Sequence, residues 1–83
     1  MSRSTAGPLA RALAANLREL RAERGLSQEE LGRQIGVHRT RIGMYEQARG
    51  NPTLGSVERL AALLGVSSAD LLLGRAEEQD EGR

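Results

Sequence analysis

The stretch LSQEELGRQIGVHRTRIGMYE, residues 26–46, decides the fold. Ser27-Gln28-Glu29-Glu30 is a capping box. The Ser27 hydroxyl can accept the Glu30 N–H while the Glu30 carboxylate reaches back to the Ser27 N–H. Leu26 and Leu31 occupy the staple positions on either side, so a helix start is fixed tightly. Leu31 and Ile35 face inward, and Gly36 ends the helix. A second helix of the pair then starts near Arg39, with Ile42 and Tyr45 on its apolar side. Two short helices joined by a tight Gly-containing turn form a candidate helix-turn-helix. Such a motif needs a small residue where the helices cross, and Gly32 is there. It needs a residue that tolerates positive φ in the turn, and Gly36 is there. It needs apolar residues to hold one helix on the other, and Leu31, Ile35, Val37, Ile42 and Tyr45 supply them. Seven demands met within one run point to DNA binding; a plain helical bundle is the bland alternative.

Outward from this core the chain continues to read as helix. Leu13, Leu17 and Leu20 recur at helical spacing, and Leu9 and Ala10 extend the stripe upstream. Pro8 fits a first turn, where its missing N–H costs nothing. A first helix is expected from about residue 8 to 24, stopping at Gly25. Residues 48–53 form a loop, and Thr53 can cap a helix in which Val57, Leu60, Ala61 and Leu64 follow the i, i+3, i+4, i+7 pattern. Gly65 ends that helix. Ser67-Ser68-Ala69-Asp70 reads as another capping box, stapled by Val66 and Leu71, and opens a short fifth helix ending at Gly74. The fold class is therefore all-α, a compact five-helix bundle over residues 8–74. Residues 1–7 are expected to be a flexible segment and residues 75–83 a disordered acidic tail. No strand, repeat or inner domain boundary is visible.

Composition narrows the function. Eighty-three residues bury only about 60% of their unfolded surface, which suits a small bundle better than a deep catalytic cleft. There is no Cys, and His38 is the single His, so thiol chemistry, disulfides and two-histidine metal sites are excluded; neither metal nor cofactor is expected. No nucleotide-binding fingerprint occurs. Glu29 and Glu30 resemble paired carboxylates, but the capping box accounts for Glu30 and a solvated face for Glu29, so no enzyme is expected. One aromatic residue, Tyr45, argues against a stacking platform for single strands. No apolar run approaches the roughly 18 residues of a membrane span, and residues 1–7 lack a signal-peptide core, which points to a cytoplasmic protein. Residues 1–49 hold nine Arg and five Glu, and residues 50–83 hold three Arg and six acids, so +4 and −3 make up the net +1. A positive N-terminal half favours a polyanion, and all twelve basic residues are Arg, whose forks suit phosphates and guanine edges.

The run RELRAERGLSQEELGRQIGVHRTRIGMYEQARGNPTLGSVERLAALLGVSSADLL resembles the Cro/repressor-type (XRE) family of bacterial and phage DNA-binding domains over nearly all of the helical chain. The segment GVHRTRIG is also similar to small regulators that include controller proteins of restriction–modification systems. The resemblance implies a lambda-repressor-like fold with the third helix in the major groove of double-stranded DNA. It places Arg39, Thr40, Met44 and His38 at base edges. Arg39 can fork onto guanine O6 and N7, and Thr40 can meet a thymine methyl or a phosphate. His38 either contacts a base or simply caps the helix. Gln28 falls where the family sets a Gln and helix N-terminal amides on a phosphate. Arg41, Arg49, Asn51 and Thr53 are the remaining candidates for backbone contact. Arg21 and Glu46 match a family salt bridge tying the first helix to the third. Gly43 inside the recognition helix marks either close approach to DNA or an indifferent exposed position.

One departure stands out. The family usually has Gly two residues after that Glu, as a helix cap; here the residue is Ala48, with Gly50 two further on. Either the helix ends differently or the loop shifts to use Gly50. A single recognition helix reads too few base pairs for a genome, and a dimer places two about 34 Å apart on a pseudo-palindrome. Leu71, Leu72 and Leu73 are consecutive and span about 200° of a helix, wider than a core-facing stripe. A homodimer through these residues and Leu63 is the expectation. The resemblance further implies an autoregulator that blocks RNA polymerase or activates through contact with it. The alternative is a protein-binding antitoxin module, which some members of the family are. With no ligand-binding domain in the 83 residues, regulation is expected through concentration, operator occupancy and dimerisation.

Overall fold

The computed structural model describes residues 7–74. Of the expected flexible segment 1–7, residues 1–6 lie outside the described residues, as does the expected acidic tail 75–83, and Gly7 is the N-cap of α1. Five helices follow one another: α1 (Pro8–Glu23), α2 (Gln28–Ile35), α3 (Arg39–Glu46), α4 (Leu54–Leu64) and α5 (Ser68–Leu73). No strand occurs among the described residues.

Local chemistry sets each boundary. Pro8 occupies the first turn of α1, and Gly25 takes φ +67 just beyond its end. At α2 both halves of the capping box are present. Ser27 Oγ accepts the Glu30 N–H at 2.9 Å, and Glu30 Oε1 accepts the Ser27 N–H at 3.4 Å. Gly36 closes α2 in the left-handed region at φ +84. Thr53 and Ser67 cap α4 and α5. The expected second capping box is one-sided: Ser67 Oγ accepts the Asp70 N–H at 2.9 Å, with no reciprocal bond. Asp is one methylene shorter than Glu, too short to reach back.

Leu13, Leu17, Leu20, Leu31, Ile35, Ile42, Tyr45, Val57, Leu60, Ala61, Leu64 and Leu71 form one core. α2 packs on α3, α1 spans α3 and α5, and α4 closes the bundle against α5 and α2. Two expectations need correction. Leu9 does not extend the core stripe; it is 54% exposed. Leu71 is not at the protomer surface. It is fully buried in the protomer's own core, and roughly 1.5–3 kcal/mol from burying one Leu anchors the single-and-a-half-turn α5. Leu72 is half-buried, Leu73 is 69% exposed, and Leu63 is half-buried at the core's edge. No helix among the described residues is long and apolar enough to cross a membrane.

Candidate nucleic-acid interface

The α2–α3 crossing is closed by the absence of a side chain. A Cβ placed on Gly32 would lie 2.5 Å from the Val37 carbonyl oxygen and 3.3 Å from Arg39 N, so no other residue fits without moving backbone. Val37 N–H and Gly36 N–H both donate to Gly32 O, at 2.9 and 2.8 Å. This turn fixes the angle at which α3 leaves the bundle.

Ile42, Tyr45 and Glu46 bury one side of α3. At about 100° per residue, Arg39, Gly43, Gln47, Thr40 and Met44 fall in an arc of roughly 140° on the other side, with Arg41 about 60° further round. In space Gln28, Arg39, Thr40, Gly43, Met44, Gln47 and Arg49 line one shallow surface depression. Arg39, Thr40, Met44 and Arg49 are exposed. Arg41 is exposed but off the depression, and Asn51 is exposed in the loop without lining it.

His38 is the N-cap of α3: its Nδ1 accepts the Thr40 N–H at 3.0 Å. That use leaves Nε2 as the ring's remaining donor. Thr53 is also committed within the chain. Its Oγ1 accepts the Ser56 N–H at 3.0 Å and donates to Ser56 Oγ at 3.1 Å. What the start of α4 retains for an anion is the backbone N–H groups of Leu54 and Gly55, since that of Ser56 is taken by the cap.

Glu46, 3% exposed, sits beneath the depression. Arg21 grips its carboxylate with two N–H groups: Nε donates to Oε2, and Nη2 donates to Oε1 at 3.0 Å. Arg21 Nη1 donates to Leu26 O at 2.8 Å, and Arg18 Nη1 donates to the Glu46 carbonyl oxygen. The hydrogen bond with Glu46, reinforced by its charge, raises the Arg21 guanidinium above its ordinary range despite partial desolvation. A cation so raised contributes stability throughout the neutral range and loses it only as pH climbs past the arginine range. One further bond runs to the site itself. Gln28 Nε2 donates to Glu46 Oε1 at 3.0 Å.

The αL position after α3 is occupied by Ala48, at φ +59. Arg49 N–H donates to Met44 O at 2.7 Å and Ala48 N–H to Tyr45 O at 3.1 Å, which completes a Schellman motif. Gly50 is left-handed as well, at φ +78, so the loop uses both residues rather than exchanging one for the other. The motif turns the chain so that Arg49 re-enters the depression.

Sequence reasoning missed two residues here. Gln47 shares the depression, and its spacing of i+7 from Thr40 and i+8 from Arg39 carried the signal. Arg18 carried none, since its partner is a backbone carbonyl 28 positions away.

A family model described as Helix-turn-helix matches residues 17–71, two thirds of the chain. The chain belongs to the helix-turn-helix family, of the Cro/repressor (XRE) type. Within this helix-turn-helix family it is 48% identical over 61 residues to a hypothetical transcription factor of Neisseria meningitidis, covering 74% of this chain and 58% of that protein. It is 40% identical over 65 residues to the cryptic phage CTXphi transcriptional repressor RstR of Vibrio cholerae, covering 78% and 59%. The chain thus spans somewhat under three fifths of the length of these two helix-turn-helix relatives. Among solved structures it resembles the restriction–modification controller protein C.AhdI of Aeromonas hydrophila, with a TM-score of 0.70 at 34% identity, covering 75% of this chain and 94% of that one. The five helices have the lambda-repressor-like arrangement of helix-turn-helix regulators.

Proposed function

We propose that the chain is a sequence-specific regulator of transcription that binds double-stranded DNA through α3. The observation that carries this reading is the outward face of α3. Arg39, Thr40 and Met44 share one open depression, and Gln28 and Arg49 stand at its edges. An α-helix of this kind fits the major groove of B-DNA, with its first residues at the base edges. Arg39 is the residue assigned to a guanine, and Thr40 and Met44 to apolar or hydroxyl contact beside it. His38 serves the site by capping α3 and offering Nε2. Arg49, Asn51, Arg41 and the Leu54 and Gly55 amides at the start of α4 take the phosphates, and Gln28 adds a further phosphate contact.

The protein acts as a homodimer on a pseudo-palindrome. Leu73, exposed on α5, with half-buried Leu72 and Leu63, is the apolar surface assigned to that contact; Leu71 supports it from within the core. A monomer in sedimentation at high micromolar concentration contradicts the dimer. Repression of its own gene, by excluding RNA polymerase from the operator, is the regulatory outcome assigned; the likeness to one transcriptional repressor, RstR, supports repression.

The test is fluorescence anisotropy on a duplex from upstream of the gene beside a scrambled duplex, from about 50 to 200 mM salt, where phosphate contacts make affinity fall steeply. Tighter binding to the upstream duplex at every salt concentration supports the reading. Equal binding to both leaves only electrostatic attraction and defeats it.

A further inference from the structure

Gln28 belongs to α2, yet its side-chain amide lies over α3. A Cβ placed on Gly43 would stand 3.6 Å from Gln28 Oε1 and 3.7 Å from Nε2, so the amide covers the bare backbone of Gly43. A primary amide has two N–H donors and one carbonyl acceptor. One N–H is taken by Glu46 Oε1 at 3.0 Å. A carboxylate only accepts, so it selects the amide orientation with nitrogen towards Glu46. Glu46 is itself held still: it is buried and gripped by two N–H groups of Arg21. The same arginine donates to Leu26 O, two residues before Gln28, so it steadies the entry to α2 as well. The result is a polar relay from α1 through α3 to a residue at the edge of the depression.

We propose that Glu46 is a positioning residue for DNA binding: through its bond to Gln28 Nε2 it fixes the Gln28 amide so that the second N–H is presented to a phosphate oxygen. This inference rests on the DNA-binding reading above. The rotamer freedom of Gln28 is then lost on folding rather than on binding, which strengthens the contact without adding one. A Cβ at Gly43 would make only ordinary van der Waals contact with this amide, so the crossing of Gln28 from α2 to α3 is set by its bond to Glu46 rather than by the glycine. The Arg21–Glu46 pair therefore does more than hold helices together.

The experiment is a double-mutant cycle in DNA affinity on the upstream duplex: wild type, Gln28→Ala, Glu46→Gln, and both together. Gln28→Ala is expected to weaken binding about tenfold, as loss of a hydrogen bond to a charged group does. Its slope of log K against log salt stays at the wild-type value, since no cation is removed. Glu46→Gln weakens binding by a similar factor, and the double variant binds no more weakly than Gln28→Ala alone. Multiplying losses in the double variant, or no loss in Gln28→Ala, overturns the proposal. Circular dichroism checks that each variant is folded. Should Glu46→Gln unfold, the question is read in the wild type: the DNA-free Gln28 side-chain amide is expected to be ordered, with an NMR order parameter above roughly 0.6, and a freely rotating amide overturns the proposal. A wild type that does not prefer the upstream duplex instead defeats the DNA-binding reading itself, so the two failures are distinguishable.

Discussion

Replacing Ala48 by Gly is expected to stabilise the protein, and its magnitude can be worked from the loop after α3. Ala48 holds φ +59, where an L-residue with a Cβ is strained by about 1–2 kcal/mol. Glycine removes that strain. Against it stand two smaller terms. Glycine widens the unfolded ensemble, which costs about 0.4–1 kcal/mol. Ala48 is also half-buried, and losing its methyl forfeits about 0.4 kcal/mol, half the value for a fully buried carbon. The net is a gain of about 0.5 kcal/mol, or a rise in Tm of about 2–4 °C for a domain this size. Ala48→Val provides the opposite sign, because a β-branched residue at positive φ is a genuine outlier. The assay is thermal unfolding followed by circular dichroism at one protein concentration, since a dimer makes Tm depend on concentration. The predicted order of stability is Gly, then Ala, then Val. A Gly variant less stable than wild type, or a Val variant equal to it, refutes a left-handed residue 48 and the Schellman motif that aims Arg49 at the depression.

Three further outcomes follow from the same geometry. Gly32→Ala drives a Cβ to within 2.5 Å of a backbone oxygen, so urea titration is expected to show a loss of about 3 kcal/mol or more. Arg21→Ala strands the buried Glu46 carboxylate; with Arg21 itself 21% exposed, the loss belongs at the low end of about 3–5 kcal/mol, and a cycle with Glu46→Gln is expected to show strong coupling in the same titration. His38→Ala removes the α3 cap and is expected to cost about 1 kcal/mol in chemical denaturation, whereas His38→Asn, which can also accept the Thr40 N–H, restores most of it.

Much of this molecule was legible in its sequence because its boundaries are chemical and local. Ser27 with Glu30, Gly36, Thr53 and Gly65 announce helix ends through bonds spanning three or four residues. The family resemblance singled out Arg39, Thr40 and Met44, and the helical geometry of α3 sets them on the side away from Ile42 and Tyr45. What the sequence withheld is long-range or depends on phase. Three consecutive leucines do not reveal which one faces the core, and only the structure shows that it is Leu71 while Leu73 is exposed. Asn16 Nδ2 donates to Leu71 O at 2.8 Å and Arg18 to Glu46 O, bonds whose partners no spacing links. Gln28 could be placed at the start of α2, but not its bond to Glu46. Ala48 left two loop geometries open, and only the backbone angles decide that both it and Gly50 are left-handed.

We propose Arg39 as the chief base reader of α3. The most direct measurement is the specificity ratio, Kd on a scrambled duplex over Kd on the upstream duplex at fixed salt, for wild type and Arg39→Ala. A bidentate Arg–guanine contact is worth about 1–3 kcal/mol of discrimination, so the ratio is predicted to fall by about five- to 150-fold in the variant while scrambled-DNA affinity changes little. Equal weakening on both duplexes would place Arg39 on the phosphate backbone and contradict base reading by this face of α3.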